Sequence, residues 1–172
     1  MPETFDATAL STRDRRLSLG AVYACIFANG VGMGLSLPLL SLIMERNGVS
    51  ATMNGANAMF GAVAMLGVTP FIPALAARIG TVRFLIACYS VAAVSLIGFR
   101  ATNDLALWFV LRFAMNSALQ GLFLVSEVWI NQIATDAMRG RLIAIYASLV
   151  SAGFAIGPII IQFLGTTGWA PF

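Results

Sequence analysis

Arg112, Asn116, Gln120, Glu127 and Asn131 carry most of the polar chemistry of a segment that otherwise reads as Leu, Phe, Val and Ala. Wound as a helix at about 100° per residue, the five fall within about 100° of arc. A guanidinium attracts an anionic group or fixes an internal carboxylate. A carboxylate partly withdrawn from water takes up a proton more readily. Asn116 and Gln120 add uncharged donors and acceptors between these two charges. With Leu119 as the helix midpoint, Arg112 and Glu127 lie roughly 10 and 12 Å to either side. Headgroups or loops could satisfy them by snorkelling. Asn116 and Gln120, nearer the middle, have no such escape. The two charges stand roughly 22 Å apart along the axis, so they cannot pair and read as two stations on one path.

A second stripe supports that path. Cys25, Asn29, Gly32 and Ser36 fall within about 60° of arc on an earlier segment. Two such faces are expected to line a shared cavity, or, more plainly, to pack helices through small residues and one interhelical Asn bond. Gly30/Gly34 and Gly153/Gly157 are spaced as small-xxx-small pairs, which read as close helix packing, and Pro158 adds a kink.

Other chemistry is excluded or disfavoured by residue type. There is no histidine, which removes Ser-His and Cys-His catalysis and most zinc ligand sets. Cys25 and Cys88 sit inside apolar runs as small hydrophobes, and no metal site is expected. Gly30-Val31-Gly32-Met33-Gly34 superficially resembles a nucleotide loop, but no strand precedes it, so no cofactor is expected. No nucleophile–base pair is visible, and an enzyme is not the expected function.

The elements that must position these residues follow from composition. Apolar residues make up 59% of 172 positions, charged residues 10%, and the mean hydropathy is +0.89. A soluble domain carries about 25% charged residues, so this chain belongs in a bilayer. About 20 apolar helical residues cross the hydrocarbon. The long continuous runs predict an all-α membrane protein of about five spans, at 17–44, 54–77, 82–99, 105–133 and 142–164. The second is kinked late by Pro70 and Pro73, and residues 1–16 form a polar tail.

All ten basic residues are arginines, too few and too scattered for a nucleic-acid surface. Their placement sets orientation instead. Arg13, Arg15 and Arg16 in the tail, Arg78 and Arg83 after the second span, and Arg139 and Arg141 after the fourth predict those segments to be cytoplasmic. Arg46 and Arg100 lie on the other side. Trp108, Trp129 and Trp169 fall near predicted span ends, as an aromatic belt would. The chain then ends on the outer side at GWAPF, which reads as the lead-in to another helix, so a fragment is expected.

These residues also resemble the N-terminal half of a major facilitator superfamily transporter, particularly its YcaD-like branch. Arg112-Phe113, then Ser126-Glu127-Val128-Trp129-Ile130-Asn131, then Arg139-Gly140-Arg141-Leu142-Ile143-Ala144-Ile145-Tyr146 carry the resemblance, together with the first-span end GMGLSLPLLSLIMERNGVS. Two departures stand out. In the loop Pro73 to Val82, Arg78 and Gly80 match the family, but Ala77 replaces its usual Asp. Gly153-x-x-x-Gly157-Pro158 resembles the antiporter signature, with Ile161-Gln162 where that signature closes on a Gly pair.

The resemblance implies two six-helix halves, alternating access by rocking, and substrate held between the halves. This chain would supply five helices and the start of a sixth, its missing C-terminal half completing the protein. Arg78, Gly80, Arg139, Gly140 and Arg141 would belong to cytoplasmic gate loops. Asn29, Arg112, Asn116, Gln120 and Glu127 would line the substrate pathway, with Glu127 the candidate for proton coupling. The expected function is secondary transport of a small solute across the plasma (inner) membrane. The alternative is a non-transporting assembly or sensor subunit that keeps a transporter-like fold.

Overall fold

The computed structural model describes residues 12–134, 138–166 and 168, without the side chains of 12, 14–16 and 133. Tail residues 1–11, the side chains of Arg15 and Arg16, and Trp169 therefore lie outside the described part. Six helices follow in order: α1 (Thr12–Arg46), α2 (Ala51–Val68), α3 (Ile72–Ile79), α4 (Thr81–Ala101), α5 (Leu105–Ile133) and α6 (Arg139–Leu164). A single 3₁₀ turn, Thr69–Phe71, joins α2 to α3, so these two make one broken span. No strand occurs among the described residues.

Five segments are long and apolar enough to cross a membrane: Leu17–Arg46, Ala51–Ile79, Thr81–Ala101, Leu105–Gln132 and Arg139–Leu164. The protein is an all-α, multi-pass membrane protein. Helices dominate because a chain in hydrocarbon must satisfy every backbone N–H and C=O internally.

Local chemistry sets the ends. Ser50 Oγ accepts from Met53 N at 3.3 Å and starts α2. Gly80 ends α3 at φ 87°, a left-handed value that favours glycine, and its N–H donates to Ala76 O. The break in the second span comes from proline. Pro70 and Pro73 lack an N–H and cannot donate back along the helix, so the turn between them tightens. Pro38 and Pro158, by contrast, sit within continuous helices.

Asp104 caps α5, its Oδ1 accepting from Ala106 N at 2.9 Å. Asp104→Ala is expected to cost about 1 kcal/mol, read as a lower midpoint in thermal unfolding of the detergent-solubilised protein. An unchanged midpoint would remove the cap from the stability of this end.

The helices pack around α5, which touches α1, α2 and α4, while α6 packs chiefly along α1. One apolar core joins α4 and α5 to the end of α1, including Met44, Phe84, Phe99, Trp108 and Met115. A second gathers Val22, Ile26, Ile130, Leu142 and Tyr146 at the other end of the bundle.

Trp108 corrects the aromatic-belt reading. It is 3% exposed, stacked edge-on against Phe99 at 5.2 Å, with its indole N–H donating to Thr102 O at 2.9 Å. The ring closes the end of the core instead of meeting lipid. Trp129 is half-buried.

Along α1 and α6 the backbones nearly touch. A Cβ on Gly30 would lie 2.7 Å from Val150 O, and one on Gly153 would lie 2.6 Å from Phe27 O. Gly34 and Gly157 abut even more closely, backbone against backbone. With no hydrophobic drive between helices in lipid, such close packing supplies much of the association energy.

Candidate functional site

The polar residues of α5 part company along its length. Arg112 is 1% exposed and Asn116 7%, whereas Gln120 is half-buried and Glu127 exposed. The reason is the neighbour each meets, because α2 lies alongside the first two.

Gly61 of α2 provides the contact. A Cβ there would stand 2.7 Å from Asn116 Nδ2 and 3.3 Å from Arg112 Cγ. Lacking one, α2 comes close enough to cover both side chains. Asn116 Nδ2 turns back to donate to Arg112 O at 2.9 Å. Farther along, Gln120 Nε2 donates to Thr69 Oγ1 at 3.0 Å, and Thr69 Oγ1 donates to Met65 O at 2.7 Å. Gln120 thereby ties α5 to the proline break of the second span.

The α1 stripe meets α5 at one crossing. Asn29, 1% exposed, donates Nδ2 to Leu119 O at 3.3 Å, while its Oδ1 has no partner. Gly32 lies against Leu119 there. Ser36 turns back onto Met33 O, and Tyr89 OH donates to Cys25 O at 2.9 Å, bringing α4 to the same helix.

Asn57 escapes sequence reasoning. It is 1% exposed, and its Nδ2 has no partner. Its signal lies in the spacing of Asn57, Gly61 and Ala64, all buried, at i, i+4 and i+7 of α2. An isolated Asn near the start of an apolar run draws attention only when its helix partner is known.

Arg112 is the electrostatic centre of this node. Its Nε and Nη1 have no hydrogen-bond partner, and no carboxylate among the described residues pairs with it. A guanidinium stays charged at any physiological pH. Buried unpaired, it costs several kcal/mol.

Glu127 sits at the other end of α5, within electrostatic reach of the Tyr146 hydroxyl, which donates to Phe123 O at 3.4 Å. Asn131 Nδ2 donates to Glu127 O at 2.9 Å. Arg78, Arg139, Gly140 and Arg141 are exposed, with Gly80 forming the cap between α3 and α4. Arg141 lies within electrostatic reach of Tyr23, whose OH donates to Leu142 O at 3.4 Å. At the opposite end, Arg46 and Arg100 share a cavity of about 200 Å³ with Asn47, Asn103 and Trp108. Among the described residues no His/Cys/Asp/Glu cluster could hold a metal ion.

This arrangement, a glycine-packed helical bundle with a buried cation on its central helix, has a counterpart in sequence. Residues 22–172 match the family model described as Major Facilitator Superfamily. The chain belongs to that superfamily. Among curated relatives it resembles an uncharacterized MFS-type transporter, YfkF, of Bacillus subtilis (strain 168), at 29% identity over 144 residues. That match covers 84% of this chain and 37% of YfkF, so the chain spans well under half of its relative. No solved structure matches it significantly. For a major facilitator superfamily chain, α5 is the fourth membrane span, and its stripe runs from a buried Arg112 to an exposed Glu127.

Proposed function

We propose that this chain is the greater part of the N-terminal half of a secondary active transporter, of the YcaD-like branch, that moves a small solute by alternating access. On this reading a second half completes the pathway, the N-terminus is cytoplasmic and the membrane is the plasma (inner) membrane. The observation that carries the proposal is Arg112. A membrane protein does not hold an unpaired cation between helices for stability alone, because apolar residues of similar volume would serve as well or better. Ionisable groups inside a membrane mark solute paths and proton relays.

Along α5 the roles separate by burial. Arg112, with Asn116 and Asn29, is the polar centre on which the solute acts. Gln120 couples that centre to the break in the second span, where a helix that bends can follow a rocking motion. Glu127, exposed beside Tyr146, is the group that exchanges protons with the cytoplasm.

The test is transport by the full-length protein in liposomes with an entrapped pH dye, screened against a solute panel under an imposed pH gradient. Wild type is expected to dissipate the gradient when its solute is supplied. Glu127→Gln is expected to abolish this solute-linked proton flux while leaving gradient-independent solute exchange intact. Unchanged proton flux in that variant would remove Glu127 from coupling, and no solute-linked flux of any kind in wild type would count against transport.

A further inference from the structure

We infer that Arg112 and Asn57 together form a desolvated binding site for a carboxylate, held between α2 and α5. The inference deepens the transporter reading and rests on it for access to the site.

Register places the two side chains at one level. The α2 and α5 helices run parallel, since Gly61 faces Arg112 and Asn116 while Thr69, two turns later, bonds Gln120. Long helical side chains lean toward the N-terminus of their own helix, which carries the guanidinium about one turn back from its Cα. Asn57 stands one turn before Gly61 on the same buried face of α2. Guanidinium and amide thus converge on the same stretch of the interface.

What converges is a set of donors. Arg112 Nε, Arg112 Nη1 and Asn57 Nδ2 are all without partners, on two residues each 1% exposed. Asn116 does not satisfy them: its Nδ2 donates to the Arg112 carbonyl, and its Oδ1 accepts from none of the three. Turning the Asn57 amide over would offer one N–H an acceptor but leave the positive charge uncompensated. The missing complement is therefore an anion.

Its shape and charge follow from the donors. Nε–H and Nη1 lie on opposite sides of the guanidinium, so each forms its parallel pair of N–H bonds with Nη2, and either edge has the spacing that a carboxylate accepts with its two oxygens. Asn57 Nδ2 then has a remaining lone pair to bind. A monoanion neutralises the site, whereas a dianion would leave net negative charge in a dry interface. Two sources can deliver this group: a transported carboxylic acid, or an Asp or Glu side chain from elsewhere in the protein.

The experiment uses the full-length protein purified in detergent, with thermal unfolding followed as sodium acetate is added, against sodium chloride at equal ionic strength. A transported carboxylate predicts saturable stabilisation by acetate beyond that of chloride. Asn57→Ala should raise the apparent acetate Kd about tenfold, the effect of one hydrogen bond to a charged group. Arg112→Gln should abolish saturation. An internal carboxylate predicts instead that acetate does nothing to wild type, that Arg112→Gln is destabilised, and that neutralising one particular Asp or Glu restores it.

Equal acetate responses in wild type, Asn57→Ala and Arg112→Gln would overturn the site. So would an acetate-insensitive wild type in which no acid substitution restores Arg112→Gln. Because binding is read without a gradient, either failure leaves solute-linked flux in liposomes to be judged separately.

Discussion

Gly157→Val should destabilise the folded bundle by about 3 kcal/mol, the upper end of what overpacking costs. The side chain would enter the space occupied by backbone atoms of α1, including the Gly34 carbonyl oxygen 2.6 Å from the new Cβ. A flexible side chain could swing aside, but a helical backbone cannot move without shifting its whole turn. Gly34→Val should behave alike, since its Cβ meets the backbone of Phe154. The two sites share one contact, so the double variant should lose less than the sum of the singles.

The measurement is unfolding in mixed detergent micelles, with Gly55→Ala as control, where an added Cβ meets nothing within 4 Å. That control should hold or gain stability, because alanine is the better helix former. If Gly157→Val matched it, the close contact of α1 and α6 would carry no weight in the fold.

Arg112→Met should leave stability unchanged or raised while slowing transport on the order of 10²-fold, for a counter-charge that arrives with the solute. The first half follows from removing an unpaired buried charge in favour of apolar packing. The second follows from losing charged hydrogen bonds of about 1.5–3 kcal/mol each, at about 1.4 kcal/mol per tenfold in rate. Arg112→Lys should recover only part of the rate, for an ammonium lacks the planar fork and is more strongly hydrated. Initial rates in liposomes beside unfolding midpoints in micelles would read both halves. A parallel fall in both for Arg112→Met would make the guanidinium a structural group, whereas divergence marks a residue kept for function at some expense of stability.

The spans were legible because continuous apolar runs admit one solution in lipid, and α5 matches the expected 105–133. Helix ends were less so. α1 begins at Thr12 and α6 at Arg139, because polar residues join a helix at little expense once its apolar part is anchored. Periodicity also identified the faces of α1 and α5 that turn inward, but a face does not name its partner. Arg112 and Asn116 are covered by α2, Asn29 bonds a carbonyl of α5, and Glu127 on the same α5 stripe remains exposed. Asn57 is not legible in the sequence because its burial depends on which face of α2 packs inward, a register that no single helix encodes. Trp108 departs from the expected aromatic belt for a related reason. Proximity to a span end suits both a lipid interface and a core lid, and only Phe99 across from it decides.

The contact of α1 with α6 has a consequence for how the protein is made. Tyr23 bonds a carbonyl 119 residues downstream, and the glycines of the two helices are separated by a similar stretch of chain. At about 5–20 residues per second of synthesis, α1 waits about 6–24 s before α6 emerges. During that interval its glycine face is bare in the membrane and open to any other helix with small residues. Capture of α1 by such a helix before α6 emerges would therefore compete with the packing of the finished bundle.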